Sequence, residues 1–187
     1  MDLPIYLLGH PVLRKETAVV TAEYPELQKL VDDMYQTMYD SDGVGLAAPQ
    51  IGRSDRIVVI DASPVGDTFP ECVGRKLTLI NPEVTVLDGE KVSRPEGCLS
   101  IPGVSEDVKR VEHILLKWVD ENFEPHEEEM TGFLARIVQH ECDHLDGVVF
   151  TDHCSPIRKQ LIKSKLNNIA NGKVRPEYPC RFAPRHR

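Results

Sequence analysis

The segment Gln139-His140-Glu141-Cys142-Asp143-His144 constrains this chain more than any other, because it commits one helix to an interior. Residues four apart on a helix share a face, so an H-E-x-x-H run aims both imidazoles at one point. Glu141 sits about 100° round from His140 and about 60° from His144, beside any ion the rings share rather than on it. Just upstream, Phe133, Leu134, Ile137 and Val138 are apolar at helical spacing, and such a stripe buries the helix that bears it. His140 continues the stripe three residues past Ile137. A solvated surface helix would not need that stripe. The pattern suits metal-assisted hydrolysis, with the carboxylate taking a proton from a metal-bound water.

Two histidines leave the site short of a ligand, since catalytic sites usually have three from the protein. Downstream, Asp146, Asp152, His153, Cys154, Glu177, Cys180 and His186 stand at no spacing familiar in metalloproteases. Upstream, Arg94-Pro95-Glu96-Gly97-Cys98-Leu99-Ser100-Ile101-Pro102 offers a better donor. Cys98 follows a glycine, which permits close backbone approach. A lone cysteine is more often a small buried hydrophobe, but the need for a third donor favours Cys98 as ligand. A third segment, Gly43-Val44-Gly45-Leu46-Ala47-Ala48-Pro49-Gln50-Ile51-Gly52, is a small-residue loop that includes the amide of Gln50. Alone it reads as a tight turn.

The segments Gly43–Gln50, Glu96–Ser100 and His140–His144, in that order, closely resemble the peptide deformylases, and the similarity runs over roughly residues 5–170. The resemblance implies hydrolytic removal of the formyl group from the N-terminal formylmethionine of new polypeptides, with release of formate. It places Cys98, His140 and His144 on one divalent metal and makes Glu141 the general base. The Gln50 amide and the Leu99 backbone N–H become oxyanion donors. Val44, Gly45, Leu46 and Ile137 match residues that line the methionine pocket and bind the substrate backbone. Glu96 is placed to hold the ligand loop, and Asp143, flanking His140, is placed to pair with Arg110. The family is generally ferrous, so Fe2+ is expected, with Zn2+, Ni2+ or Co2+ able to replace it. Many relatives carry an arginine shortly after the cysteine loop. Here Gly103-Val104-Ser105 stands there instead, which leaves open what recognises downstream peptide residues. A zincin-type metallopeptidase, with its third ligand elsewhere, is the alternative enzyme. A non-catalytic ribosome-binding or structural-metal module is the third possibility, against which Glu141 and Gln50 both argue, since a structural site needs neither.

At 187 residues, one domain over residues 1–170 is the natural expectation. No apolar run approaches the ~20 residues that span a bilayer, and Leu3–Leu8 lacks the basic flank of a secretory signal. Five cysteines without framework spacing favour reduced thiols and a cytoplasmic setting. Charge is uneven: residues 151–187 hold 9 of the 22 Lys/Arg but only 2 of the 30 Asp/Glu, the mark of an interaction tail. A C-terminal helix is expected over 155–170, with Ser155 as N-cap, Pro156 at its first position and Gly172 past its end. By resemblance its Arg158, Lys159, Lys163 and Lys165 meet ribosomal RNA near the nascent-chain exit. Deleting residues 152–187 is then expected to spare small-peptide hydrolysis. Residues 171–187 read as a basic irregular tail.

The coarse pattern is α+β, antiparallel β-sheets packed around a central helix that carries the H-E-x-x-H motif, plus the C-terminal helix. Ala22–Tyr39 is amphipathic through Leu27, Leu30, Val31, Met34 and Met38. Strands are expected at Arg56–Asp61 and Lys76–Asn81, a hairpin across Pro82–Val92 about Asp88-Gly89, and a second hairpin about Glu121-Asn122. Asp61–Arg75 reads as a surface loop, and the motif helix runs from about Gly132 to Leu145.

Overall fold

The computed structural model describes residues 3–184. Strand β1 (Ile5–Tyr6) precedes helix α1 (Leu27–Asp40). Seven strands follow: β2 (Gly45–Ala47), β3 (Ile57–Asp61), β4 (Lys76–Val86), β5 (Lys91–Cys98), β6 (Ile101–Val111), β7 (His113–Val119) and β8 (Pro125–Thr131). The chain ends with α2 (Gly132–Leu145), α3 (Pro156–Ala170) and β9 (Cys180–Arg181).

The run Ile57-Val58-Val59-Ile60 in β3 is wholly buried, and its alternation sorts it between two cores. Ile57 and Val59 pack with Val31, Met34 and Met38 of α1, whereas Val58 and Ile60 pack with Leu134, Ala135 and Val138 of α2. The sheet around it runs β2-β3-β4-β7-β8, antiparallel throughout. One helix therefore covers each face, and α2 is held centrally between sheets. A separate antiparallel pair, β5-β6, sets Cys98 at the end of its first strand.

Three expectations change. Helix α1 starts at Leu27, not Ala22, because Pro25 disfavours helical backbone at the residue before it and Glu26 takes φ 54. The hairpin about Asp88-Gly89 does not form: β4 pairs with β7 and β5 with β6. A tight two-residue turn needs positive φ at the first central residue (type II′) or at both (type I′), and neither Asp88 nor Gly89 has it. Those residues instead carry the chain from one sheet to the other. Nor is the tail wholly irregular, since Cys180–Arg181 pairs in parallel with Ile5–Tyr6. Residues 185–187 lie outside the described residues.

The Glu121-Asn122 hairpin forms as β7-β8, with His113 opposite Thr131. The segment read as a surface loop makes two 3-10 turns and buries Cys72. Its Glu71 carboxylate accepts the Phe133 N–H at 2.6 Å, placing negative charge at the positive end of α2. Gly132 permits this approach: it has φ +65, and a Cβ there would lie 2.1 Å from Glu71 Oε1. Helix α3 begins at Pro156, with the Ser155 hydroxyl accepting the Arg158 N–H. Ile162 and Ile169 of α3 are buried in the core, while Ile157 and Leu161 are exposed. A deletion of residues 152–187 would therefore remove core side chains along with surface charge.

Candidate active site

Cys98, His140 and His144 each offer a donor atom within 4.8 Å of the other two. Cys98 Sγ stands 3.4 Å from His144 Nε2. Sulfur and nitrogen bonded tetrahedrally to one zinc-like ion stand about 3.6 Å apart, by bond lengths of about 2.3 and 2.1 Å. His140 Nδ1 lies 2.8 Å from Glu96 Oε1, which leaves Nε2 facing the cluster. A thiolate with two imidazoles suits zinc or ferrous iron, so the donors present fit a divalent ion of that kind. Burial drives His144 well below the usual imidazole range, which keeps it neutral, as ligation requires. Burial also lowers His140, but hydrogen bonding to Cys98 and Glu96 outweighs it and raises that ring.

Glu141 is 5% exposed, and its buried Oε2 has no hydrogen-bond partner among the described residues. Burial pushes its carboxyl up to about 7, with Glu96 and Asp143 adding to the rise and His140 opposing it. The carboxylate lies over Gly45 of β2, where a Cβ would stand 2.5 Å from Oε1. Only glycine leaves the carboxylate that room.

Gln50 is aimed by the backbone of Ala47, three residues before it. Its Oε1 accepts the Ala47 N–H at 2.9 Å, so the amide nitrogen must face the other way. Nε2 donates to Ser100 Oγ at 3.2 Å and to Cys98 Sγ at 3.4 Å. Gln50 is 2% exposed, and it joins the loop after β2 to the turn that holds the cysteine.

Beneath the cluster runs a buried ionic network. Glu96 accepts from Arg110 Nε at 2.8 Å, Arg110 Nη2 at 3.0 Å and Arg136 Nη1 at 2.6 Å. Arg110 Nη1 reaches Asp143 Oδ2 at 3.0 Å, and His153 Nε2 meets the same oxygen at 2.8 Å. Burial would raise the Glu96 carboxyl, but hydrogen bonds from His140 and Arg110 hold it well below the usual carboxylate range. Arg136, 1% exposed, went unread in the sequence. It also donates to Glu112 Oε1 and to the carbonyls of Val108 and Val92. Its signal was a cation four residues before His140, on the same helix face, inside an otherwise apolar stripe.

A cleft of about 520 Å³ opens over the cluster, lined by Val44, Gly45, Cys98, Leu99, His140 and others. Leu46 and Ile137 do not line it: their side chains sit in the cores on the α1 and α2 sides. Strand alternation turns Leu46 away from the face that Gly45 presents to Glu141. Gly103, Val104 and Ser105 do border the cleft, and so does Tyr178 from the tail. No local pattern marked Tyr178.

A central helix bearing H-E-x-x-H, met by a cysteine from a neighbouring strand end and wrapped in antiparallel sheets, defines a class of metal-dependent hydrolases. Known proteins place the chain within it. A sequence model of polypeptide deformylase matches residues 2–160. The chain is 45% identical to the peptide deformylase of Flavobacterium psychrophilum over the full length of both, and 44% identical to that of Salinibacter ruber over 96% of this chain and 94% of the other. Among structures, it is similar to the peptide deformylase of Legionella pneumophila, with a TM-score of 0.80, 38% identity and coverage of 94% and 99%. This chain belongs to the polypeptide deformylase family. That family removes the formyl group from N-terminal formylmethionine by metal-dependent hydrolysis.

Proposed function

We propose that the chain deformylates nascent N-formylmethionyl peptides with Cys98 Sγ, His140 Nε2 and His144 Nε2 holding Fe2+. The observation that carries this reading is the convergence of those three donors beside a buried, unpartnered Glu141 oxygen. When bound, such an ion acts as a Lewis acid and lowers the pKa of coordinated water toward 7. Glu141 takes the proton of the attacking water and passes it to the departing methionine amine. Gln50 Nε2 and the Leu99 N–H donate to the oxyanion that develops on the formyl oxygen. Val44 and Gly45 border the space for the methionine, and Glu96, Arg110 and Asp143 fix the His140 ring from behind. Iron is favoured over zinc, nickel or cobalt by the resemblance; the donor set suits iron and zinc equally.

Anaerobically purified protein, assayed with its metal content measured, is expected to release formate from formyl-Met-Ala-Ser. It is expected to leave acetyl-Met-Ala-Ser and unformylated protein intact. Cleavage of unformylated protein that survives Cys98→Ala would instead support the zincin-type peptidase.

A cytoplasmic setting is favoured by five free cysteines. No helix among the described residues is long and apolar enough to cross a membrane. For ribosome docking, the support is the exposed face of α3, where Lys159, Lys163 and Lys165 accompany exposed Ile157 and Leu161. Arg158 is less available, because it pairs with buried Glu106 at 2.7 Å. Reversing all three lysines to glutamate is expected to abolish ribosome co-sedimentation at moderate salt and leave tripeptide hydrolysis unchanged. Wild-type binding should weaken with salt by about 0.7–0.9 log units per log unit and phosphate contact. Equal affinity of the variant and the wild type at every salt concentration would end the docking proposal.

A further inference from the structure

The turn between Cys98 and Ile101 is held from outside by both ends of the chain. Tyr178 lines the cleft, and its phenol donates to the Leu99 carbonyl at 2.5 Å. The next carbonyl, that of Ser100, accepts the Leu8 N–H at 2.8 Å. These two supports are themselves joined. Ile5 pairs with Cys180 and Tyr6 with Arg181, through Ile5 N–H to the Pro179 carbonyl and Leu7 N–H to the Arg181 carbonyl, both 2.9 Å. From inside, Gln50 Nε2 reaches Ser100 Oγ and Cys98 Sγ. Each residue of the turn, from the cysteine to Ser100, is thus restrained: Cys98 by Gln50, Leu99 by Tyr178, and Ser100 by Gln50 and Leu8.

We propose that Tyr178 is a positioning residue for deformylation, whose hydrogen bond fixes the Leu99–Ser100 peptide and, across the single Leu99 Cα, restrains the neighbouring Cys98–Leu99 peptide that carries the Leu99 N–H toward the reacting oxygen. The inference rests on the reading above, in which that N–H stabilises the oxyanion. Donors of this kind work only when held within about 10–20° of the productive geometry. Leu99 lies between a cysteine that Gln50 reaches and that a bound ion would hold, and a serine fixed by Gln50 and Leu8. Its side chain packs against the core, and its own carbonyl is held by Tyr178. A tyrosine that served only to fasten the tail would not need to end on this carbonyl, since the β1-β9 pairing already anchors residues 179–181.

Tyr178→Phe keeps the ring in the cleft and removes only the hydroxyl. In the metal-loaded full-length protein with formyl-Met-Ala-Ser, kcat is expected to fall about tenfold, the upper worth of one neutral hydrogen bond. KM is expected to stay within about twofold, because an interaction made in the transition state is lost rather than uniform binding. Unchanged kcat overturns the proposal, as does a loss confined to KM, or a lowered melting midpoint with full-speed turnover. Gln50→Ala, run alongside, separates the two layers of argument, with an expected loss of at least about a hundredfold in kcat. If Gln50→Ala turns over at the wild-type rate, the oxyanion reading fails and takes the Tyr178 proposal with it. If Gln50→Ala is slow while Tyr178→Phe is not, only the role of Tyr178 is removed.

Discussion

Glu96→Ala is expected to lower the unfolding free energy by about 3–5 kcal/mol, the usual cost of removing one partner from a buried ion pair. The side chains concerned are deeply buried: Glu96 and Arg110 are 5% exposed, Arg136 1%. Without the carboxylate, Arg136 keeps Glu112 and two carbonyls, and Arg110 keeps Asp143. Each guanidinium still loses its shared counter-ion in a place water does not reach. Exposed pairs do not compare. Arg14–Asp152, with side chains 48% and 38% exposed, contributes about 0–1 kcal/mol. Glu96→Ala also strips the partner from His140 Nδ1, and loss of such support typically weakens metal affinity about 10–100-fold. Urea unfolding measures the first effect, and titration with a competing chelator the second. A change below about 1 kcal/mol would mean that solvent enters and compensates the arginines.

How far the sequence could be read depended on whether the deciding interaction was local. The α2 helix was legible because core and ligand residues share its periodicity, so one pattern specified both burial and chemistry. Helix α1 was legible by the same apolar periodicity, and the β7-β8 hairpin because its partners lie within a few residues of one turn. Asp88-Gly89 misled because a turn dipeptide reports only local preference, while β5 folds back onto β6 through the tighter Leu99-Ser100 turn and leaves β4 to pair with β7. The ligand triad came from resemblance joined to chemistry, as no local rule links Cys98 to a helix 42 residues later. Arg136 was missed because a cation in an apolar stripe looks like a surface position until its carboxylate partners arrive from other strands. Tyr178 was missed because its task is defined by where the tail returns, and a two-residue parallel pairing leaves no periodicity to read.

Glu141→Ala is expected to cut kcat/KM for formyl-Met-Ala-Ser by about 10²–10⁴-fold, the usual worth of a general base, while metal content stays unchanged. The carboxylate is outside the ligand cluster, so its removal takes no bond from the ion. Stability is expected to hold or rise slightly. The carboxyl is buried, Oε2 has no partner to lose among the described residues, and the raised pKa of about 7 records how poorly its charge is accommodated. A residue held at a cost to the fold is the pattern expected of a working group. Glu141→Gln tests shape against proton transfer: the amide fills the space over Gly45 yet cannot accept the proton as a base. An equal loss in both variants assigns the effect to proton transfer. Loss of metal in either variant would make Glu141 a ligand or a ligand support, and retained turnover in the glutamine variant would move the base elsewhere.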